Sequence, residues 1–291
     1  MVELYGEQTR LTLKNMSFSG VRISEFPSYL TALIQVKRAC AAANCCAGYL
    51  SREKKDAICL ACDKLLQQDH SEQFPVDAFH GGGGIGTNMN VNEVIASLAG
   101  RGIQPVDDVN MSQSTSDVCH TALRLSLYRE VERLKEVIRV IIDTTAEKAE
   151  AFQPYLTIAR TCWQDGMSVP AGAVLEGFLS ALLEQLELLE NYQSTLLSVN
   201  LGWTVIGSGT GAPDGYRAYI IDALREVTGL PLSWKKSPYQ AAQYTEDLSV
   251  LSVHIRVFSS ILAKFARDVR LLASGPETGL GAVSYTHLTL P

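Results

Sequence analysis

Leu127-Tyr128-Arg129-Glu130-Val131-Glu132-Arg133-Leu134-Lys135-Glu136-Val137-Ile138-Arg139-Val140-Ile141-Ile142 is the stretch that decides the fold class. Its apolar residues Leu127, Val131, Leu134, Ile138 and Ile141 recur at intervals of 4, 3, 4 and 3, which aligns them on one face of an α-helix. A second stripe at the same spacing runs through Leu175, Leu179, Leu182, Leu186 and Leu189. A third passes through Val253, Val257, Ile261, Phe265 and Val269, with Phe258 and Leu262 beside it. Three long helices with apolar seams predict a bundle. Leu123, Leu125, Ile142, Leu183 and Leu188 add apolar area off the stripes. One bundle would leave that area wet, so the pattern predicts packing between subunits, with a single-chain bundle of broad core faces as the alternative.

Outward from these helices, composition narrows the function. The chain has 291 residues, 46% of them hydrophobic and 19% charged, enough to bury a sizeable core. A net charge of −6 and the lack of a long basic run argue against nucleic acid as the main partner. No basic start with an apolar h-region is present, and no uninterrupted apolar run approaches about 18 residues, so neither a signal peptide nor a membrane span is expected. The seven cysteines are odd in number and scattered, which fits a reducing, cytoplasmic setting. Cys59-Leu60-Ala61-Cys62 has no second pair at zinc spacing and lies in a helical pattern, so it reads as core cysteine.

Ser28 to Leu66 reads as helical, with proline absent after Pro27. Pro75 and the glycines from Gly81 to Gly84 then force a loop, and a helical pattern resumes at Asn88 through Val91, Val94, Ile95 and Leu98 to Gly100 and Gly102. Three polar loops stand out: Gly81 to Asn92, Asp107 to Asp117 and Arg160 to Gly166. They are rich in Ser, Thr, Asn and Gly rather than His and carboxylates. Such loops supply donors for an anion, and predict neither a metal site nor a hydrolytic triad. Gly81, Gly83 and Gly86 match GxGxxG, but a dinucleotide site needs a preceding buried strand and a βαβ unit, and neither is legible. The plainer reading is a backbone that must approach a neighbour closely, with Asn88 or Asn90 capping the next helix.

Several segments together resemble the aspartase/fumarase superfamily. Gln73-Phe74-Pro75-Val76-Asp77, the glycine loop and Asn88-Met89-Asn90-Val91-Asn92-Glu93-Val94-Ile95-Ala96 look like its first signature. Asp107-Asp108-Val109-Asn110-Met111-Ser112-Gln113-Ser114-Thr115-Ser116-Asp117 resembles the next. Ala159-Arg160-Thr161-Cys162-Trp163-Gln164-Asp165, Leu201-Gly202-Trp203-Thr204-Val205-Ile206-Gly207-Ser208-Gly209 and Val269-Arg270-Leu271-Leu272-Ala273-Ser274-Gly275-Pro276 follow in the family's order, and Tyr5 to Arg10 is similar to its opening region. The resemblance covers about Tyr5 to Gly281, and Gln73 to Asp77 tilts it toward the aspartate ammonia-lyases.

The resemblance implies a mainly α, L-aspartase-like fold: an N-terminal helical domain over 1–113, an incomplete central long-helix bundle over 114–281, and a tail, 282–291, unlike the family. It implies a homotetramer whose sites are shared between subunits. It implies elimination from an amino-dicarboxylate such as aspartate, or a relative, with no cofactor and no metal. The barrier in such a reaction lies in a dianionic aci-carboxylate, which neutral donors around its oxygens stabilise. By resemblance Ser114 and Thr115 bind the carboxylate that gains charge, Thr161 of another subunit holds a substrate carboxylate, Asn88 and the Gly83–Gly86 backbone shape the first loop, and Ser116, Cys162 and Thr87 stand among the substrate-binding residues. Read without the family, Ser114 and Thr115 are a helix N-cap, and the two roles are compatible.

The chain departs from the family at Ile85, where a Thr is usual, at Ser116 for an Asn, at Cys162 for a His or Gln, and at Glu277 for an Arg. These departures disfavour a fumarase and put aspartate itself in doubt. Beyond Gly281 the family continues into a loop of the form Gly-Ser-Ser…Met-Pro-x-Lys-x-Asn, which carries its serine base and a substrate lysine, and then a small third domain. Here Ala282 to Pro291 does not match that loop, so no catalytic base is assigned, and Ser284 or His287 is a poor substitute. A fragment without activity of its own, its C-terminal domain missing, is the expectation; the alternatives are another superfamily lyase, of fumarase or argininosuccinate-lyase type, and a non-catalytic lyase-fold assembly protein.

Overall fold

In a computed structural model, which describes residues 3–80, 82–162 and 164–273, the helical stretch read from Ser28 to Leu66 breaks in two. After α1 (Glu7–Asn15), α2 runs over Pro27–Cys46 and α3 over Arg52–Gln67. Gly48, at a φ of 79°, makes the turn between them, and the Ser51 hydroxyl accepts from the Lys54 amide to start α3. Cys62 is buried in α3 and Cys59 is partly buried; neither is in a disulfide.

α4 (Ile85–Ala99) begins before the position read from the sequence, so the expected loop to Asn92 is mostly helix. Asn88 and Asn90 do not cap it. They lie inside it and are buried, while Gly84, at a φ of 91°, occupies the cap. A Cβ on Gly84 would come within 2.9 Å of Cys119 Sγ, and one on Gly86 within 2.5 Å of a Thr12 methyl carbon. Close approach of backbone to neighbours is therefore the physical reason for those two glycines. No strand leads into this loop; among the described residues the strands are β1 (Leu156–Thr161), β2 (Gln164–Pro170), β3 (Ser198–Val199) and β4 (Ser233–Trp234), and no βαβ unit surrounds the glycines.

The long stripe forms α5 (Thr115–Phe152), in which Val131 and Ile138 are buried as read. α6 (Ala171–Gln193) buries Leu182 and Leu189 of the second stripe. The third stripe lies in α9 (Glu246–Leu272), but there the buried residues are Asp247, Leu251 and Phe258, while Val253, Val257 and Val269 are exposed. The helix is apolar on more than one side, and period alone did not select the side that packs. By length and apolarity α9 is also the described helix that could cross a membrane, a test that a bundle helix with several apolar faces passes equally. The expected loop over Arg160 to Gly166 is instead the end of an antiparallel β1–β2 hairpin, pairing Leu156 with Pro170 and Thr161 with Gln164.

Two helices not read from the sequence, α7 (Asp214–Thr228) and α8 (Pro238–Gln243), complete the described elements. The chain forms two compact units, Met1–Glu130 with Ser194–Thr245, and Val131–Gln193 with Glu246–Pro291. The first has one core built from α2, α3, α4, α7 and the start of α5, centred on Leu33, Val36, Ile58, Ile95, Leu125, Tyr216 and Ile220. The second brings α6 against α9, where Phe178 and Phe265 stack at 3.8 Å between ring centroids. A Cβ on Gly172 would lie 2.3 Å from the Ala149 carbonyl oxygen, so α6 starts pressed against the end of α5. Ser114, the boundary read from the sequence, is where the polar turn passes into α5. Ser274 to Pro291, with Glu277, Ser284 and His287, lies outside the described residues, as do Gly81 and Trp163.

Candidate functional site

The polar segment from Asp107 to Asp117 is held by its own side chains and by α2. A π-helical turn over Pro105–Val109 opens it. Gln113 Nε2 then donates to the carbonyls of Val109 and Met111, at 2.9 and 3.0 Å. Ser112, at a φ of 61°, donates from its hydroxyl to Asn44 Oδ1 at 2.7 Å, and Asn44 Nδ2 donates back to the Met111 carbonyl at 3.0 Å. A non-glycine residue in this left-handed region is strained, and these bonds hold it there.

Asp117 closes the segment. Its carboxylate accepts from the amide of Ser114 at 2.9 Å, and from those of Gly202 and Thr204 at 3.0 and 3.1 Å. The residue is fully buried, and burial raises its carboxyl to about 6 against the pull of those amides and of Lys37. It therefore stays ionised at neutral pH and fixes two loops of the first unit at once. The Ser114 hydroxyl accepts from the Ser116 amide at 3.3 Å, the capping role anticipated for it.

Asn88 reaches Thr115 across α4 and α5. Its Nδ2 donates to Thr115 Oγ1 at 3.0 Å and to Asn110 Oδ1 at 3.0 Å. Asn88 Oδ1 is buried without a partner. Beside it Thr87 faces His80: the Thr87 amide donates to His80 Nε2 at 3.2 Å, and the Thr87 hydroxyl lies 2.9 Å from the same nitrogen. Ile85, 57% exposed, stands at the start of α4.

The structure thus brings Thr87, Asn88, Ser114, Thr115 and Ser116 into one polar patch of the first unit. Thr161 and Cys162 belong to the second unit, exposed at the end of its hairpin, with Cys162 at a φ of 49°. Arg160 is fixed beside them by an ion pair with Asp165 at 3.0 Å. Reading the sequence missed His80, Lys37 and Asn110. Lys37 left one signal, a charge at the centre of an apolar helical face with Leu33, Cys40 and Asn44 on the same side.

Comparison with known proteins bears on this patch. A family model described as lyase matches residues 2–289. The aspartate ammonia-lyase of Corynebacterium glutamicum is 36% identical over 291 residues, covering 96% of this chain and 55% of that protein. A class II fumarate hydratase of Myxococcus xanthus is 33% identical over 292 residues, covering 97% and 62%. The crystal structure of a fumarate lyase:delta crystallin from Brucella melitensis superposes with a TM-score of 0.93 at 37% identity, over 97% of this chain and 63% of that one. The chain spans 55% to 63% of the length of these three proteins. With the helical architecture and the ordered polar segments in place, the chain belongs to the lyase family of the aspartase/fumarase superfamily.

Proposed function

We propose that this chain is part of a carbon–nitrogen lyase that removes ammonia from an amino-dicarboxylate such as L-aspartate and releases fumarate. A proton leaves the carbon next to one carboxylate, and the C–H electron pair moves into that carboxylate as an aci-carboxylate dianion. The pair then forms the double bond as the C–N bond breaks and ammonia departs with its electrons. Ser114, Thr115 and Ser116 surround the carboxylate that gains charge. Thr161 and Cys162, supplied by another copy, hold the second carboxylate, and Thr87 and Asn88 shape the wall. The observation that carries this reading is the placement of Ser114 and Thr115 at the N-terminus of α5, where hydroxyls and the helix dipole favour negative charge.

Exposed apolar residues on α5, α6 and α9, among them Val137, Val140, Leu183, Leu188, Val253 and Val257, support assembly of these helices with those of further copies into a homotetramer. The chain spans 55% to 63% of the length of the relatives it matches, and by itself it is expected to turn over no substrate. The test extends it with the corresponding C-terminal part of the Corynebacterium glutamicum relative and follows fumarate absorbance with L-aspartate, then with other amino-dicarboxylates. Product from the extended protein and none from the 291-residue chain is the expected result. An extended protein that assembles and yields nothing with any of them would establish the second reading, a lyase fold without catalysis, which Ile85, Ser116 and Cys162 favour.

A further inference from the structure

Lys37 is a fully buried cation of the first unit, set in α2 with no salt bridge among the described residues. Its ammonium donates to two neutral amide oxygens, Asn110 Oδ1 and Gln113 Oε1, each at 2.8 Å. Asn110 Oδ1 collects two more donors, Asn88 Nδ2 at 3.0 Å and Asn92 Nδ2 at 3.3 Å. Three donors on one oxygen, one of them charged, pin the Asn88 amide. Its remaining N–H then points at Thr115 Oγ1. A hydroxyl that accepts an amide N–H must direct its own hydrogen elsewhere. Among the described residues no recorded bond takes the Thr115 hydrogen. The carbonyl four residues earlier, on Met111, already receives Asn44 and Gln113.

We propose that Lys37 is a positioning residue of the carboxylate site, acting through Asn110 and Asn88 to present the Thr115 hydroxyl outward as a hydrogen-bond donor and lending its positive field to the dianion that forms there. The proposal rests on the lyase reading above for the identity of the anion; the hydrogen-bond chain itself does not depend on it. A buried ammonium bonded directly only to neutral amides is costly for a fold, and an apolar residue would pack α2 at lower cost. A field directed at a transient negative charge gives it a use. The groups that face Lys37 are Cys40 on its own helix, Cys62 on α3, and Asp117 and Cys119 on α5. Burial lowers Lys37 to about 8, while the three thiols are raised by burial, Cys40 to about 12, and Asp117 sits near 6. Lys37 is the member of this cluster that changes charge between pH 7 and 9.

The experiment labels threonine methyl groups in the 291-residue chain and follows Thr115 by NMR as pH rises from 6.5 to 9.5. Thr115 is assigned from its loss in Thr115→Ser. Its resonance is expected to titrate with a midpoint near 8, to stop doing so in Lys37→Met, and to stop again in Asn88→Ala, which keeps Lys37 but cuts the chain. The wild-type titration stands even if a variant fails to fold. Succinate, a stable dicarboxylate, is then added as the probe; its affinity is expected to fall about tenfold in Lys37→Met and to persist in Lys37→Arg. A Thr115 resonance indifferent to both pH near 8 and Lys37→Met overturns the proposal, whatever succinate does. A Thr115 that follows Lys37 in a chain taking no succinate keeps the relay and removes the carboxylate reading.

Discussion

α2 and α9 are both long helices rich in small and apolar side chains, yet they end in opposite environments. Ten of the twenty residues of α2 are buried, Lys37 and Asn44 included, whereas α9 buries three of 27. Around α2 the first unit closes a core from its own elements, with α7 laid along it and Tyr216 donating to Cys40 Sγ at 3.1 Å. α9 has one packed seam, through Leu251, Phe258 and Phe265, and leaves Val250, Val253, Val257 and Val269 uncovered. A core complete in itself can keep a polar network dry and its donors fixed. A helix with apolar residues on several sides carries surface that water covers only at a cost, so its stability depends on what packs on it.

The largest effect that would break this comparison comes from charging the open face of α9. Val253→Asp with Val257→Asp should abolish assembly, because each valine buried between copies contributes about 1.5–3 kcal/mol and a carboxylate there adds a desolvation cost. Light scattering should show the mass fall to that of one chain while the circular dichroism of the first unit persists. An unchanged mass would mean that the exposed face is not where copies meet.

Truncation inside the first unit gives the next effect. Leu33 is fully buried at the middle of α2. Leu33→Ala should cost about 2–5 kcal/mol in urea unfolding, the range for a large-to-small change in a closed core. The same change at Leu183, 48% exposed on α6, should cost far less in a dissociated chain. Equal losses at the two sites would erase the distinction between the units.

How much of this was legible follows from the range of the interactions. The seams of α5 and α6 were readable because a helix repeats locally and Val131, Ile138, Leu182 and Leu189 carry the repeat themselves. The seam of α9 was legible only in part: Phe258 and Phe265 pack, but Val253 and Val257 keep a similar period to Leu251 and Phe258, and only a neighbour chooses between them. The hairpin over Leu156 to Pro170 was missed because most of its residues are exposed and its strands lack a clean alternation. At the site, Ser114, Thr115 and Asn88 were found through their similarity to family motifs. Lys37 was not, since its partners Asn110 and Gln113 lie 73 and 76 residues away and no local pattern links them.

Linkage sharpens the account of the closed core. The Lys37 ammonium is lowered from 10.5 to about 8 by burial, so between those values the unfolded chain holds a proton that the folded chain has released. Stability must therefore rise with pH through that window, by roughly 3 kcal/mol if the full shift is expressed. The thiols of Cys40 and Cys62, raised by burial, ionise first in the unfolded chain and so lower stability as pH rises, opposing the lysine; the informative quantity is the difference between wild type and Lys37→Met. Urea midpoints from pH 7.5 to 10 should show a more positive slope for wild type than for the variant.

The smallest expected effect sets a second buried lysine against the first. Lys135, in the part of α5 that belongs to the second unit, is also buried, but it donates to Glu132 at 2.6 Å and to Gln193 Oε1 at 2.7 Å. Glu132 is 42% exposed, so this charge is paired and its partner is solvated, where Lys37 has neither advantage. An ion pair with one partner in water contributes little, so Lys135→Met should change stability by less than about 1 kcal/mol in urea unfolding. The two methionine variants make a matched pair: the same substitution, in helices of the same chain, differing in whether a carboxylate bonds the buried cation directly. A larger stability change in Lys37→Met than in Lys135→Met identifies a cation bonded only to neutral amides as the distinguishing case. Equal changes would attribute the effect to burial of any lysine and leave Lys37 without a special place.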